Sequence, residues 1–441
     1  MDDEVMQLPS GRIRVRRDGK VIRALGLRYA MARRFQPCEP VPVTDDLVDA
    51  TTPGPVCPQL PSRLEFVVGP VMAGLDQDED CLALTVVAPV PDGRARPVMV
   101  FLHGGAYVTG SGQPAAYDLS AMAAEGGVVT VTVNYRLGIF GYLAIDGLSP
   151  ANLGLLDQIA ALRWVRENIG GFGGDPDAVT IFGQSAGADS VSYLLVADGT
   201  EGLFRRAILQ SAPLGVQRGR AAMSRAMAVA AREVLGANPE AASTADLLVA
   251  QSAAAAAAAP FGTVAQMPFG PQSGQHPLPE DDEVEARQLD VARRLPVMIG
   301  TTSDDALPFL SLDPRLARAF GLPVLGPPVR RLLSSVVTRR LFGRPSSAYA
   351  KRHRRGGGHA VTYVFDWHPA NSSLRACHCI ELPFLMGSFA DWATAPMLGP
   401  QSRPALDELG PRMRQLWYEF AHGMFDEADA HLQLPGALAP S

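Results

Sequence analysis

The chain of 441 residues is 47% apolar and has a formal net charge of −6, with 39 Lys and Arg residues against 45 Asp and Glu residues. This composition excludes a disordered chain and argues against nucleic acid as the main partner, because such partners usually require a basic face. No run of 18 or more apolar residues predicts a membrane span, and residues 1–20 lack the apolar segment of a signal peptide. We therefore expect a cytoplasmic protein.

The five cysteines are odd in number and sparse, which predicts free thiols rather than a disulfide framework. Cys377-His378-Cys379 resembles a metal-binding corner, but the alternation is tighter than usual ligand spacings and no second Cys/His pair accompanies it. We predict no metal site and no cofactor.

Short segments rich in Val, Ile and Phe recur in the first half of the chain, bounded by Gly, Pro or Asp. Such segments are typical of buried strands in a parallel sheet. The predicted buried strands are 81–87, 97–102, 128–133 and 178–182, and the opening section adds shorter strand-like pieces at 12–15 and 21–25. Apolar residues at helical spacing predict a helix over 153–169, which gives a strand-helix-strand unit.

The second half of the chain alternates between strand-like and helical segments. Strands are predicted at 294–300 and 359–365, and an amphipathic helix at 407–422. Two helical segments, at about 214–290 and 307–357, interrupt this pattern. We predict one domain over 1–441, in which these segments are cap-like insertions over the sheet.

A G-x-S-x-G sequence, Gly183 to Gly187, follows the predicted strand 178–182 directly and opens into a helical pattern. A nucleophile elbow needs this setting, because a sharp turn between strand and helix presents the serine hydroxyl above the sheet. The sequence alone is a weak signal that also occurs in ordinary glycine-rich turns. Its context favours Ser185 as a nucleophile.

His103-Gly104-Gly105 comes immediately after the predicted strand 97–102. Acyl transfer needs backbone N–H donors aimed at the developing oxyanion. The N–H groups of Gly104 and Gly105 can supply them, together with that of Ala186, the residue after the predicted nucleophile. Gly-Gly is also a common loop sequence, so the position upstream of the elbow is what makes this pattern informative.

The orienting acid and the base should follow the serine in the order acid, then histidine. Asp304 and Asp305 both lie just after the strand predicted at 294–300, and either fits on position. His368, just past a predicted strand, and His378, before an apolar segment, are equally good candidates for the base. Most loop aspartates are simply exposed to solvent. Sequence position alone therefore does not decide between Asp304 and Asp305, or between His368 and His378.

These residues and their surroundings resemble the type B carboxylesterase family, which includes the cholinesterases. The similarity is densest from Asp78 to Pro213 and covers, with looser matches, most of the chain. The matching segments are EDCL (79–82), VFLHGG (100–105), NYRLG (134–138), NLGLLDQIAALRWVRENIGGFGGDP (152–176), VTIFGQSAG (179–187), FRRAILQS (204–211), GLRYAMARRFQP (26–37), 297–305 and ACHCIELPF (376–384).

The resemblance implies an α/β-hydrolase fold, with a central, mostly parallel twisted sheet flanked by helices and with helical cap insertions. It also implies a serine carboxylic-ester hydrolase with Ser185 as nucleophile, His378 as base and Asp305 as orienting acid. Gly104, Gly105 and Ala186 would form the oxyanion hole. The expected partner is a small-molecule ester, with no cofactor, and its acyl and alcohol groups are not predicted.

Several positions depart from the family pattern. The acid is usually Glu and is Asp305 here, and the residue before the nucleophile is usually Glu and is Gln184 here. Arg375 stands where the family usually has Gly. Cys57 and Cys81 match a disulfide pair of secreted relatives and are expected to be reduced in a cytoplasmic chain.

Three alternative functions remain open from the sequence. A thioesterase, a lactonase or an acyltransferase could use the same three residues. A non-catalytic binding protein is possible because some members of the fold act in adhesion. A metal or redox protein built on Cys377 and Cys379 is the weakest alternative. Oligomeric state is not predicted.

Overall fold

One sheet of twelve strands extends through the chain in this computed structural model, which describes residues 2–370, 372–425 and 431–434. A separate pair brings the number of strands in the described residues to fourteen. They are β1 (Asp2–Leu8), β2 (Gly11–Asp18), β3 (Val21–Arg28), β4 (Ala30–Met31), β5 (Glu39–Pro40), β6 (Leu47–Asp49), β7 (Ala83–Pro89), β8 (Arg96–Leu102), β9 (Val129–Val133), β10 (Gly174–Gln184), β11 (Arg206–Gln210), β12 (Val297–Thr302), β13 (Ala360–Phe365) and β14 (His431–Leu434).

The strand order is β1-β2-β3-β7-β9-β8-β10-β11-β12-β13-β14, with β6 beside β2, while β4 and β5 form a separate pair. All neighbours from β9 to β14 are parallel. The strands from β1 to β9 along this path pair antiparallel. Because parallel strands end at the same edge of a sheet, the segments after β8, β10 and β12 meet at one edge.

Helices cover the sheet and follow most of the parallel strands. They are α1 (Glu65–Val68), α2 (Ser120–Gly126), α3 (Gly138–Gly141), α4 (Leu153–Asn168), α5 (Ala186–Leu194), α6 (Ala221–Leu235), α7 (Thr244–Ala258), α8 (Val284–Ala292), α9 (Leu307–Ser311), α10 (Pro314–Phe320), α11 (Gly326–Thr338), α12 (Arg344–Arg355), α13 (Leu382–Leu385) and α14 (Arg403–His422).

The central strands are buried on both faces, as their continuous apolar sequence predicts. In β8, Val98, Val100 and Leu102 join one hydrophobic cluster, whereas Met99 and Phe101 join another. This alternation follows from the two-residue period of a strand, which sends successive side chains to opposite faces. Two apolar layers therefore hold β8 and β10 in place. These strands lead into the His103-Gly104-Gly105 segment and the G-x-S-x-G sequence, respectively.

The two segments predicted as insertions are largely helical. Helices α6 to α8 lie within 214–290, with α8 extending to Ala292, and α9 to α12 lie within 307–357. A π-helical turn, Arg339–Gly343, joins α11 to α12. The second segment contains four helices, the longest of which is α11.

One helical stretch, Thr244–Gln266, is long and apolar enough to cross a membrane by length and composition, with a mean hydropathy of 1.5. It consists of α7 and a following 3-10 segment. Leu247, Ala250 and Ala254 of α7 are fully buried, but only 28% of the 18-residue apolar window is buried, so α7 packs one face against the protein. The prediction of no membrane span rested on the absence of a continuous run of 18 or more apolar residues, whereas this stretch also contains polar residues.

Candidate active site

Ser185 lies at the turn between a strand and a helix, as the elbow motif predicts. It is the single residue between the end of β10 and the start of α5. Its φ of 56° and ψ of −124° lie in a region that residues with a side chain rarely adopt. Its N–H donates to the carbonyl of Gln210 in β11 at 2.9 Å, which holds the strained turn against the sheet. The Ser185 side chain is partly exposed.

Glycines allow the segment after β8 to pass directly beside this serine. A Cβ atom on Gly187 would lie 1.9 Å from the carbonyl oxygen of Leu102, the last residue of β8. A Cβ atom on Gly104 would lie 3.1 Å from the Cβ of Ser185. Larger residues at either position would push the two segments apart, so the close approach depends on the missing side chains.

The three N–H groups predicted as oxyanion donors are available for a ligand. Those of Gly104 and Gly105 donate no hydrogen bond to any residue that the structure describes. Ala186 is the first residue of α5, a position whose N–H has no partner within the helix. A negative charge that developed beside Ser185 would therefore meet unpaired donors near a helix N-terminus.

Buried polar side chains hold the Gly104 segment in place. The His103 ring stacks on Tyr135 with centroids 4.3 Å apart, and its Nδ1 donates to the Gly104 carbonyl at 2.8 Å. Burial lowers the pKa of His103 to about 4, so the ring is neutral near pH 7. The Tyr107 hydroxyl, further along the same loop, donates to Asp189 of α5 at 2.8 Å. Burial raises the pKa of Asp189 to about 6.

Asp305 and His378 form a buried hydrogen-bonded pair. Nδ1 of His378 donates to Oδ1 of Asp305 at 2.8 Å, and the N–H of Thr302 donates to Oδ2 at 3.0 Å. Both side chains are inaccessible to solvent. Asp305 thus reaches the histidine although it is one methylene shorter than the Glu usual in the resembling family. With Nδ1 donating, Nε2 of the neutral ring is an acceptor.

Asp304, the alternative acid, points to other partners. Its Oδ2 accepts from Nε of Arg375 at 3.0 Å and its Oδ1 accepts from the Ser334 hydroxyl of α11 at 3.1 Å. Arg375 has a φ of 52°, which explains why a glycine suits this position in related sequences. The ion pair between Asp304 and Arg375 connects the loop that holds Asp305 to the loop that holds His378. Asp304 therefore supports the arrangement of these two loops.

The structure does not join His378 to Ser185 by a hydrogen bond. The Ser185 hydroxyl has no hydrogen-bond partner among the described side chains, and Nε2 of His378 lies 3.2 Å from the side-chain nitrogen of Gln184. The Cys379 thiol donates to the Gln184 side-chain oxygen at 3.6 Å. The three predicted catalytic residues are therefore near one another, with Gln184 occupying the position on the base that the serine would need.

Aromatic rings from the second helical segment cover His378. The ring centroids of Phe309 in α9 and of Phe342 in the π-helical turn lie 5.2 Å and 5.5 Å from that of His378. The Arg63 guanidinium lies 5.5 Å from the centroid of Phe309. Arg63 also donates to the Gln266 carbonyl, which connects it to the segment after α7.

The other histidine candidate lies apart from these residues. Among the described residues, Nδ1 of His368 donates to the carbonyl of Pro369 at 2.9 Å and does not contact Asp304 or Asp305 through a hydrogen bond. His353 of α12 is buried, and its Nε2 donates to the Leu295 carbonyl at 2.7 Å. Within the described ranges, no group of three or more His, Cys, Asp or Glu residues could hold a metal ion.

Glu381 is a buried carboxyl group that sequence reasoning missed. It lies three residues after His378 and is 1% exposed, and neither oxygen makes a hydrogen bond of good geometry with a described residue, although the neighbouring Gln210 side chain acts to lower its pKa. Burial, and then the charge of Asp305, raise the pKa of Glu381 to about 8. The sequence feature that could have identified Glu381 is its position as a charged residue inside the apolar segment 380–385. No local sequence pattern predicted the contact between Gln184 and His378, because it depends on tertiary packing.

Comparison with known proteins identifies the family. The model of the carboxylesterase family matches residues 2–319. The chain belongs to the carboxylesterase family. This carboxylesterase is 40% identical over 425 residues to the probable N-octanoylanthranilate hydrolase AqdA2 of Rhodococcus erythropolis, covering 95% of this chain and 93% of the relative. It is 35% identical over 451 residues to the para-nitrobenzyl esterase of Bacillus subtilis, covering 96% and 90%.

Solved structures agree with the fold. A thermophilic PNB esterase superposes with a TM-score of 0.81 at 34% identity, covering 95% of this carboxylesterase and 91% of that chain. The carboxylesterase EST55 of Geobacillus stearothermophilus gives 0.75 at 30% identity, covering 99% and 92%. The predictions of the type B carboxylesterase family, the α/β-hydrolase fold and an ester hydrolase are confirmed. Mouse neuroligin-2 is 41% identical over 251 residues, but these cover only 30% of its length.

Proposed function

We propose that this carboxylesterase hydrolyses small-molecule esters through a covalent acyl-enzyme on Ser185. His378 acts as general base and then general acid, and Asp305 orients its ring and stabilises the protonated form. Gly104, Gly105 and Ala186 donate their N–H groups to the oxyanion. The observation that carries the proposal is the buried 2.8 Å hydrogen bond between His378 and Asp305, next to the strained turn that presents Ser185.

The reaction proceeds in two acyl-transfer steps. Nε2 of His378 accepts the Ser185 proton while Oγ bonds to the ester carbonyl carbon, whose oxygen becomes the oxyanion. The C–O bond to the alcohol breaks as His378 returns the proton to the leaving oxygen. Water then loses a proton to His378 and attacks the acyl-enzyme, and collapse of this second intermediate releases the acid and returns the proton to Ser185.

The base must change partner before the first step. Nε2 of His378 faces the Gln184 amide, so the ring or the amide must shift for the serine hydroxyl to donate to Nε2. Catalytic hydrogen bonds are often long or misaligned in free enzymes and tighten when the substrate is bound. Phe309 and Phe342 restrict access of water to the ring from the cap side.

We also propose that helices α6 to α8 and α9 to α12 form a cap over the site within a single domain. Contact of Phe309 and Phe342 with His378 supports this for the second group. The hydrogen bond from Arg63 to the Gln266 carbonyl supports it for the segment after α7. A cytoplasmic location remains a proposal that agrees with five unpaired cysteines, and cell fractionation with an antibody would test it.

The decisive experiment is reaction with a fluorophosphonate probe followed by mass spectrometry of the intact protein and its peptides. We expect one adduct, on Ser185, and its loss in Ser185→Ala. His378→Ala should prevent labelling, whereas the matched variant His368→Ala should label normally. Absence of an adduct on folded wild-type protein would contradict the proposed mechanism and favour a non-catalytic binding protein.

The acyl chemistry is shared by enzymes that act on thioesters or lactones or that transfer the acyl group to an acceptor other than water. Turnover of matched oxygen esters, thioesters and lactones separates these activities. We expect the oxygen esters to give the highest kcat/KM, since the para-nitrobenzyl esterase of Bacillus subtilis and the Geobacillus carboxylesterase are esterases by name. A clear preference for thioesters would replace the proposed substrate class and leave the roles of the three residues intact.

A further inference from the structure

The helical segment 307–357 has a charge unlike that of the rest of the chain. It contains 11 of the 39 Lys and Arg residues but only one of the 45 Asp and Glu residues, Asp313. The rest of the chain therefore carries 28 basic residues against 44 acidic ones. A negative net charge thus conceals a strongly basic segment, and asymmetry of this kind indicates a surface for anionic partners.

Several arginines of this segment are exposed and unpaired. These exposed arginines have no carboxylate within 4.0 Å among the residues that the structure describes. Arg355 of α12, by contrast, pairs with Glu285 at 2.7 Å. We call these exposed, unpaired side chains the basic rim; they are Arg315, Arg318, Arg331, Arg339 and Arg340. Their charges are not neutralised within the described fold.

Exposed apolar side chains lie along α11 and in the turn that precedes it. We call this set the α11 stripe, and its members with their exposed fractions are Leu322 (51%), Leu325 (63%), Val329 (38%), Leu332 (65%) and Val336 (54%). Val329, Leu332 and Val336 are spaced three and four residues apart within α11, which places their side chains on one face of that helix. Leu322 and Leu325 lie in the turn just before it. An apolar face of this length on a solvent-exposed helix indicates a contact surface.

We propose that the α11 stripe and the basic rim form a docking surface for a membrane that carries anionic lipids. A helix with one apolar face and arginines beside it lies in the plane of an interface, with apolar side chains among the acyl chains and cations at the headgroups. The charge of the rim argues against a second copy of the chain as the occupant, because a symmetric contact would bring the two rims together.

The same helix connects this surface to the active site. On its buried side, the Ser334 hydroxyl donates to Asp304 and the Thr338 hydroxyl accepts from the N–H of Ala306, on either side of Asp305. Docking at α11 would thus hold the acid loop in place and bring the site to esters dissolved in lipid. The docking surface itself does not depend on the proposed mechanism.

Sedimentation of the full-length protein with lipid vesicles tests the proposal. We expect binding to vesicles of phosphatidylcholine mixed with phosphatidylglycerol, little binding to pure phosphatidylcholine, and weaker binding at high ionic strength. Arg331→Gln/Arg339→Gln should weaken partitioning roughly 25-fold. Leu325→Ser/Leu332→Ser should weaken it by at least roughly tenfold.

Matched variants on α6 and α7 control for general loss of charge or apolar surface. Arg225→Gln/Arg232→Gln removes two exposed arginines elsewhere, and Val229→Ser/Val249→Ser removes two valines that are each 59% exposed. Both should bind vesicles as the wild type does, and all four variants should hydrolyse a water-soluble ester normally, which shows that they fold.

Two results would overturn the proposal. One is the absence of binding to anionic vesicles at low ionic strength, or binding that the α6 and α7 controls weaken as much as the α11 variants. The other is a wild-type dimer in light scattering that Leu325→Ser/Leu332→Ser converts to a monomer without any vesicle binding, which would assign the stripe to self-association.

Discussion

The side-chain nitrogen of Gln184 lies 3.2 Å from Nε2 of His378, the atom that must accept the serine proton. In the neutral imidazole with Nδ1 donating to Asp305, Nε2 is an acceptor and the Gln184 amide is its donor. The Cys379 thiol, 3.6 Å from the amide oxygen, favours this orientation of Gln184. The resting base is therefore hydrogen-bonded to the residue immediately before the nucleophile.

Gln184→Glu should move the acidic limb of the pH profile of kcat/KM to higher pH by about one unit. A carboxylate beside Nε2 stabilises the protonated imidazole, which cannot accept the serine proton. The measurement is kcat/KM against pH for wild type, Gln184→Glu and Gln184→Ala. Gln184→Ala, which brings no charge, should not show the shift. Coincident profiles for wild type and Gln184→Glu would mean that this contact is absent from the working enzyme.

Asp305→Asn and Asp304→Asn should have different effects. Asp305→Asn removes the acceptor that fixes the His378 tautomer, so kcat should fall by about four orders of magnitude with little change in stability. Asp304→Asn weakens the bond to Arg375 and should lower the free energy of unfolding by about 1–3 kcal/mol, with a much smaller loss in kcat. Steady-state kinetics and urea unfolding separate the two, and equal losses of kcat would contradict the assignment.

Arg375→Ala should be less stable than Arg375→Gly by about 1 kcal/mol. Both variants lose the ion pair with Asp304, but only alanine retains a Cβ atom at a φ of 52°. The comparison isolates the cost of the left-handed backbone, and urea midpoints with unchanged m-values report it. If the alanine variant were as stable as the glycine variant, no strain would be stored at this position.

Glu381 should make the protein less stable as the pH rises from about 6.5 to 8. The pKa of Glu381 is raised from 4.5 to about 8 in the folded state, which therefore binds more protons than the unfolded state between these values. Stability from this group is complete below pH 4.5 and is lost as the pH rises through 8, with a limiting slope of about 1.4 kcal/mol per pH unit.

The test compares urea unfolding of wild type and Glu381→Gln at several pH values. The buried His103 and His353, whose pKa values are lowered to about 4, contribute an opposite slope that fades as the pH rises above their unfolded value of about 6.5, and this slope is common to both proteins. The Gln variant should show a flatter dependence, whereas Glu201→Gln, at an exposed glutamate, should retain the wild-type slope. Parallel curves for wild type and Glu381→Gln would show that Glu381 is ionised in the fold.

Local patterns predicted the elements around the nucleophile closely. The helix expected at 153–169 is α4 at Leu153–Asn168, and the strand expected at 97–102 is β8 at Arg96–Leu102. Strand β11 at Arg206–Gln210 was not predicted as a strand, although its sequence contributed to the family resemblance. Periodicity and turn residues are local signals, so they determine such elements well.

The contacts that distinguish the two acids could not be read from local patterns. Asp304 and Asp305 are adjacent and chemically identical, and only the tertiary packing directs one to Arg375 and the other to His378. The resemblance favoured Asp305, and the geometry agrees with that expectation. The amide of Gln184 reaches a histidine 194 residues away, a contact without any sequence period.

The hydroxyls of Ser334 and Thr338 make the second helical segment inseparable from the acid loop. Attempts to change selectivity by exchanging residues 307–357 with those of a relative would therefore alter the support of Asp305 as well as the pocket. A chimera that keeps serine and threonine at these two positions should retain catalytic competence more often than one that does not. When variants are made by recombination, the crossover points should therefore lie outside residues 307–357 and outside the neighbouring acid loop.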